Sequence, residues 1–207
     1  MKNKLTFHTL HTNSPELSPA LKLYVDTFQT ESITSYNFNF EHPKTANQYL
    51  RAVQLMAKAL IVKGDDILVA NFEDSVVGVA VMNIQTKGAF SEMIKVLFPD
   101  VLNLYPLLTK INYRNLITSA KAMNLSTPLN GNYVTLQIIA ISPNYQGQGF
   151  GKQFIQELHA RYANDYDGIY LYTADETNKD IYEYFGYELL ERTSNKDLEV
   201  YHLVFHF

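Results

Sequence analysis

The stretch Ile138-Ile139-Ala140-Ile141-Ser142-Pro143-Asn144-Tyr145-Gln146-Gly147-Gln148-Gly149-Phe150-Gly151-Lys152 decides the fold. An apolar strand runs into a Ser-Pro turn, then alternating glycines, then an amphipathic helical pattern. The N–H groups of a helix's first turn have no partner within the helix, and the helix dipole puts partial positive charge there. Glycines let that backbone approach an anion without side chains in the way. Strand, glycine loop and helix start together read as a cradle for phosphate.

Outward from this loop, Phe150 to Tyr162 predicts a helix with Phe154, Ile155, Leu158 and Tyr162 on one side, and Val134 to Ile141 predicts the strand before it. Toward the C-terminus follow a strand over Gly168 to Thr173, a short helix over Lys179 to Phe185, and strands over Glu188 to Glu191 and Glu199 to Phe207. Toward the N-terminus, Leu5 to Leu10 reads as a strand. Pro15 to Glu31 and Thr45 to Val62 read as helices, and Ile67 to Phe72 and Val76 to Asn83 as a hairpin closed by Glu73-Asp74-Ser75. Residues 88 to about 125 are apolar without alternation and punctuated by Pro99 and Pro106, which predicts several short helices. The clearest loop is Ser126-Thr127-Pro128-Leu129-Asn130-Gly131-Asn132. The order β-α-α-β-β-α-β-α-β-α-β-β predicts an α/β chain built on one mixed sheet. Too few strands precede the 125–132 loop for a separate sheet, so residues 1–207 read as one domain.

Bulk properties narrow the classes. Hydrophobic residues are 46% and charged residues 18% of 207, a globular balance. With a net charge of −4 and no basic cluster, nucleic acid is not an expected partner. No apolar run approaches the ~20 residues that cross a bilayer, and Met1 to His8 lacks a signal-peptide core. The expectation is a cytoplasmic protein with no membrane partner, monomeric or homodimeric. Absence of cysteine removes disulfides, thiolate metal sites and a catalytic thiol. His202 and His206 lie four apart on a strand-like pattern and so ~13 Å apart, too far for one ion; no metal is expected. His159 reads as a boundary residue beside its helix's apolar stripe.

Three phosphate-binding patterns fail on particular residues. A dinucleotide loop needs G-x-G-x-x-G after a first strand, whereas the glycines here are 147, 149 and 151, late in the chain. A P-loop needs a hydroxyl after Gly-Lys to hold magnesium, and Gln153 stands there. The catalytic-loop and metal-binding motifs of a kinase are missing downstream.

A fourth pattern fits. Gln146-Gly147-Gln148-Gly149-Phe150-Gly151 resembles the Q/R-x-x-G-x-G/A signature of the GNAT superfamily of acyl-CoA-dependent N-acyltransferases. Asn178-Lys179-Asp180-Ile181-Tyr182-Glu183-Tyr184-Phe185-Gly186-Tyr187 resembles that family's N-x-x-x-Y-x-x-x-G-F element, with Tyr in place of the final Phe. The resemblance covers roughly 133–190, and the short Asn-to-Tyr spacing looks closest to puromycin N-acetyltransferase-like members. It implies a central mixed, mostly antiparallel twisted sheet flanked by helices and splayed at the strand before the glycine loop. It also implies acetyl-CoA as acyl donor and a primary amine of a small molecule or peptide as acceptor, with the 88–131 segment shaping the acceptor site.

On that resemblance the backbone of Gln146, Gly147, Gln148, Gly149, Phe150 and Gly151 wraps the pyrophosphate, with Lys152 an added charge or simply a solvated lysine. Ile139, Ala140 and Ile141 offer backbone groups to the pantetheine arm, and Asn178 hydrogen-bonds it or caps its helix. Tyr182 matches the family's general acid, with Tyr184 as the fallback. Direct attack in a ternary complex suits a chain without cysteine. Some members carry a glutamate where Thr135 stands here; neither Thr135 nor Gln137 takes a proton at neutral pH, so the base has no assignment. A non-catalytic acyl-CoA-binding or sensor domain is the alternative.

Overall fold

The computed structural model describes residues 4–29, 31–38, 40, 44–84, 108–195 and 198–207. Its centre is a seven-stranded sheet in the order β1-β2-β3-β4-β5-β7-β6. The strands are β1 (Thr6–Thr9), β2 (Asp66–Phe72), β3 (Ser75–Asn83), β4 (Tyr133–Ile141), β5 (Gly168–Thr173), β6 (Glu188–Asn195) and β7 (Leu198–His206). The helices are α1 (Leu17–Phe28), α2 (Ser32–Asn37), α3 (Thr45–Lys63), α4 (Tyr113–Ala122), α5 (Phe150–Tyr162) and α6 (Glu176–Tyr184). Every neighbouring pair of strands is antiparallel except β4 and β5. That mixed, mostly antiparallel sheet is the one expected. Among the described residues no helix is long and apolar enough to cross a membrane.

Most elements follow their sequence signals. Glu73 and Asp74 both take positive φ, 49° and 63°, the two-residue loop whose twist matches a hairpin. Two boundaries differ. The helix expected over Pro15 to Glu31 ends at Phe28, and a separate α2 begins at Ser32 with Glu31 as its cap. The helix expected from Lys179 begins at Glu176, because the Asp175 side chain accepts the Asn178 N–H at 2.9 Å. Asp175, not Asn178, is therefore the cap of α6. The short helices expected between 88 and about 125 fall partly on 85–107, outside the described residues; α4 lies in the remainder.

Two apolar layers cover the sheet. On one face α5 sets Phe150, Phe154, Ile155 and Leu158 against Leu68, Ala80, Val134, Leu136, Ile169 and Leu203. At Gly78 a Cβ would come within 2.9 Å of Ile141 and 3.1 Å of Phe154, so glycine sets how closely α5 seats. On the other face α1 and α3 pack Leu21, Val25 and Tyr49 against Ile67, Val69, Val79 and Ala140. A smaller cluster of Ala122, Leu198 and Val200, with Ile33, Tyr36 and Tyr172 beside it, seats α2 and α4 near β5 and β7.

Polar bonds fix that second, smaller seat. Ser119 Oγ donates to Asn37 Oδ1 at 3.0 Å, and Asn115 Nδ2 to the Tyr36 carbonyl at 2.7 Å. His202, wholly buried, has Nε2 3.0 Å from the Ala122 carbonyl. A carbonyl only accepts, so Nε2 carries the proton and the bare Nδ1 accepts from the Tyr170 hydroxyl at 2.6 Å. Burial holds this imidazole neutral by lowering its pKa. His202 and His206 both lie on β7, as the alternation predicts.

Candidate functional site

The sheet opens where its only parallel pair, among the described strands, comes apart. β4 and β5 pair from Tyr133 with Gly168 to Leu136 with Leu171, and no further. Beyond Leu136 the edge of β4 that faces β5 has no strand partner, so its backbone groups are available to a ligand. The divergence coincides with a β-bulge. Met82 pairs with Leu136 and Val81 with Ile138, which leaves Gln137 as the extra residue. Val134 and Leu136 face α5 before the bulge; Ile139 and Ile141 face it afterwards, while Ile138 and Ala140 turn to the α1 and α3 side.

The glycine loop continues directly from β4. A 3-10 turn over Pro143–Tyr145 leads into Gly147 (φ 74°) and Gly149 (φ 80°), the latter capping α5. Residues with a Cβ are strained at such φ. A Cβ built at Gly147 or Gly149 meets no heavy atom within 4 Å, so the space above the loop is open. The first helical bond runs from the Gln153 N–H to the Gly149 carbonyl at 3.1 Å. The N–H groups of Phe150, Gly151 and Lys152 consequently have no partner inside the helix. Phe150 is buried and stacks with Tyr145, so its side chain anchors the loop from below and only its backbone faces outward.

Gln146 and Gln148 brace the loop. Gln146 Nε2 donates to the Ile141 carbonyl at 3.0 Å, and its own N–H reaches the Pro143 carbonyl at 3.4 Å. Gln148 Nε2 donates to the Asn144 carbonyl at 3.1 Å. The open cradle thus begins at Gly147, with Gln146 holding it to the strand. Lys152 is exposed.

A cavity of about 340 Å³ runs through the splay. On the α5 side its wall includes Ile139, Ile141, Gly151, Ile155, Asn178, Tyr182 and Phe185; on the other it includes Tyr24, Phe28, Glu31, Ile33, Thr34, Met123 and Tyr172. Predicted residues Ile139, Ile141, Gly151, Asn178 and Tyr182 meet there. Ala140 is buried toward α1 and α3 and contributes backbone alone. Tyr182 packs edge-on against the buried Tyr187, ring centroids 5.5 Å apart. Its hydroxyl has no hydrogen-bond partner among the described residues, and burial pushes its pKa well up. It therefore stays a donor at neutral pH. Tyr184 is 77% exposed and away from the cavity, which removes it as a substitute.

Sequence reasoning missed the far wall. Glu31 was placed at the end of a helix; it caps α2 instead, with Oε2 accepting the Thr34 N–H at 2.9 Å. Tyr24, which bonds Tyr49 hydroxyl to hydroxyl at 2.8 Å, and Tyr172 carried no motif at all. His159 is half-buried, stacked on Phe205 at 3.8 Å, and its pKa is lowered to about 4 by burial. Among the described residues no cluster of three or more His, Cys, Asp or Glu side chains is placed to hold a metal ion.

Comparison with known proteins agrees with this geometry. Residues 120–189 match the model of the acetyltransferase (GNAT) domain. No curated protein sequence matches the chain significantly. Among solved structures, the histone acetyltransferase HPA2 and related acetyltransferase from Corynebacterium glutamicum is similar over 97% of this chain and 93% of its own, at 17% identity and TM-score 0.65. The PaiA N-acetyltransferase from Thermoplasma acidophilum, in complex with coenzyme A, is similar over 99% of both chains at 9% identity and TM-score 0.59. YncA, a putative acetyltransferase from Salmonella typhimurium with its cofactor acetyl-CoA, is similar over 99% of this chain and 94% of its own, at 12% identity and TM-score 0.54. With the glycine loop, the splayed β4 and the Asn178–Tyr187 element gathered at one cavity, and the domain model matched over the same stretch, the chain belongs to the GNAT superfamily of acyltransferases.

Proposed function

We propose that this protein transfers an acetyl group from acetyl-CoA to a primary amine by direct attack within a ternary complex. The observation that carries the reading is one cavity that crosses the sheet at the β4–β5 splay and reaches Tyr182. The donor's phosphates suit the open N–H groups from Gly147 to Lys152, because that loop presents backbone alone. Its pantetheine arm suits the unpartnered edge of β4 at Ile139, Ala140 and Ile141, with Asn178 opposite. Two proteins of this fold hold coenzyme A or acetyl-CoA, which supports the donor's identity.

The donor supplies an activated thioester, and the chain's own groups do the rest. A β4 N–H near the bulge polarises the carbonyl as the amine nitrogen bonds to its carbon. The carbon–sulfur bond breaks, the amide keeps the acetyl group, and the thiolate leaves. Tyr182 donates a hydrogen bond to that sulfur. A thiol has a pKa of ~8.5 and a free phenol ~10, and burial raises Tyr182 further, so complete proton transfer runs uphill and the hydrogen bond is the contribution. No acyl-enzyme on cysteine forms, since the chain has none. The acceptor enters from the wall of Tyr24, Glu31 and Tyr172. Met123, from the 88–131 segment, shares that wall and supports the segment's role in shaping the acceptor site.

Free thiol followed in the presence of acetyl-CoA and a panel of primary amines tests the reading. Amine-dependent thiol release is expected. Coenzyme A binding without release across the panel favours the non-catalytic acyl-CoA-binding reading, to which the absence of a carboxylate at Thr135 and Gln137 lends support.

A further inference from the structure

Resting on that acyl-transfer reading, we infer that the acceptor is a monocationic amine with an apolar body, whose ammonium group is received by Glu31. Of the side chains lining the cavity, Glu31 alone carries a formal charge. Tyr24, Phe28, Ile33, Met123 and Tyr172 surround it on that side with ring and aliphatic surface. A cation entering such a chamber meets one opposite charge and otherwise loses water. An anion meets repulsion and no positive group.

Glu31 is held where it stands. Oε2 accepts the Thr34 N–H at 2.9 Å, and Oε1 has no hydrogen-bond partner among the described residues. Thr34 is buried, and α2 behind it is tied to α4 through the Ser119–Asn37 bond. The carboxylate's charge reaches the phenols of Tyr24, Tyr49 and Tyr172, each of which it helps to push up. One oxygen thus fixes the group and the other remains for a ligand among aromatic rings that also favour a cation.

The same arrangement discriminates. A free amino acid brings a carboxylate toward Glu31 and has no cation to meet it. A polyamine brings a second ammonium toward apolar wall. An aryl-alkyl or alkyl monoamine matches both the charge and the surface.

Glu31→Gln is the decisive variant, because glutamine keeps an oxygen for the Thr34 N–H and loses only the charge. Thiol-release kinetics with 2-phenylethylamine, phenylalanine and spermidine compare one aromatic body with and without a carboxylate, and one charge with several. 2-Phenylethylamine is expected to exceed each of the others in kcat/KM by about tenfold or more, and Glu31→Gln to raise its KM about ten- to a hundred-fold. The KM for acetyl-CoA should stay within about twofold, since Glu31 lies across the sheet from the donor loop. Preference for phenylalanine or spermidine, or an unchanged amine KM in Glu31→Gln, overturns the inference. Calorimetric binding of 2-phenylethylamine to the coenzyme A-saturated protein separates this from failure of the acyl-transfer reading. Weaker binding to Glu31→Gln than to wild type supports Glu31 even without turnover, and equal or absent binding in both refutes it.

Discussion

The two walls of the cavity are built on different physical principles. The α5 wall is a backbone device: glycines at 147 and 149, unpartnered N–H groups at the start of α5, and an unpaired edge of β4. The α1–α2–α4 wall is a side-chain device, made of Tyr24, Phe28, Glu31, Tyr172 and Met123. A backbone device requires particular residues at fixed spacing, because only glycine accepts the φ values and leaves the space. A side-chain device requires only suitable surface and can be assembled from elements far apart in the chain. The first wall suits a ligand common to a superfamily, the second an acceptor particular to one member.

Substitutions can break this contrast. Gly149→Asp should have the largest effect, since it strains the cap of α5 and adds negative charge where phosphate is expected. Coenzyme A affinity measured by calorimetry should fall at least about a hundredfold, and retained affinity would remove the pyrophosphate assignment. Tyr182→Phe should lower kcat for thiol release about ten- to a hundred-fold, with the coenzyme A dissociation constant unchanged. If rate and affinity both hold, Tyr182 has no chemical role. Met123→Trp crowds the opposite wall. It should raise the amine KM by about tenfold while sparing the KM for acetyl-CoA; equal changes in both constants would mean the two walls do not act separately.

The smallest effect concerns the histidines, one in each layer. His159 has its pKa lowered to about 4 in the folded state, against ~6.5 when unfolded. Between those values the unfolded chain binds a proton that the folded chain refuses. Stability is therefore complete above pH 6.5 and falls as the pH drops toward 4. His202, also lowered by burial, acts in the same direction. Urea midpoints measured from pH 7 to 4 should show a shallower fall in His159→Gln than in wild type; parallel curves would deny His159 a part.

The contrast also explains what the sequence revealed. The bounds of α5, Phe150–Tyr162, and β5, Gly168–Thr173, are read directly, because Phe154 and Leu158 recur at helical spacing and the strand is short, apolar and bounded by Asp167 and Asp175. The glycine loop and Tyr182 were legible because their spacing is their function. Glu31 was not. The break after Phe28 lacks glycine or proline, and Glu31 is an uncommon helix cap, so nothing in the local pattern separates α2 from α1. The bulge at Gln137 was equally hidden, since Ile138-Ile139-Ala140-Ile141 is apolar on both faces and shows no alternation that a shift could interrupt.

The bulge constrains how this chain can vary in length. Removing Gln137 alone would restore plain alternation along β4 and exchange the faces of Ile138 through Ile141 at one stroke. The large isoleucines of the donor channel would then press into the α1 and α3 layer, where the small Ala140 now sits. A single-residue deletion here should consequently do far more damage than a deletion of several residues in the 126–132 loop eight or so positions earlier, even though both lie on the approach to the same strand.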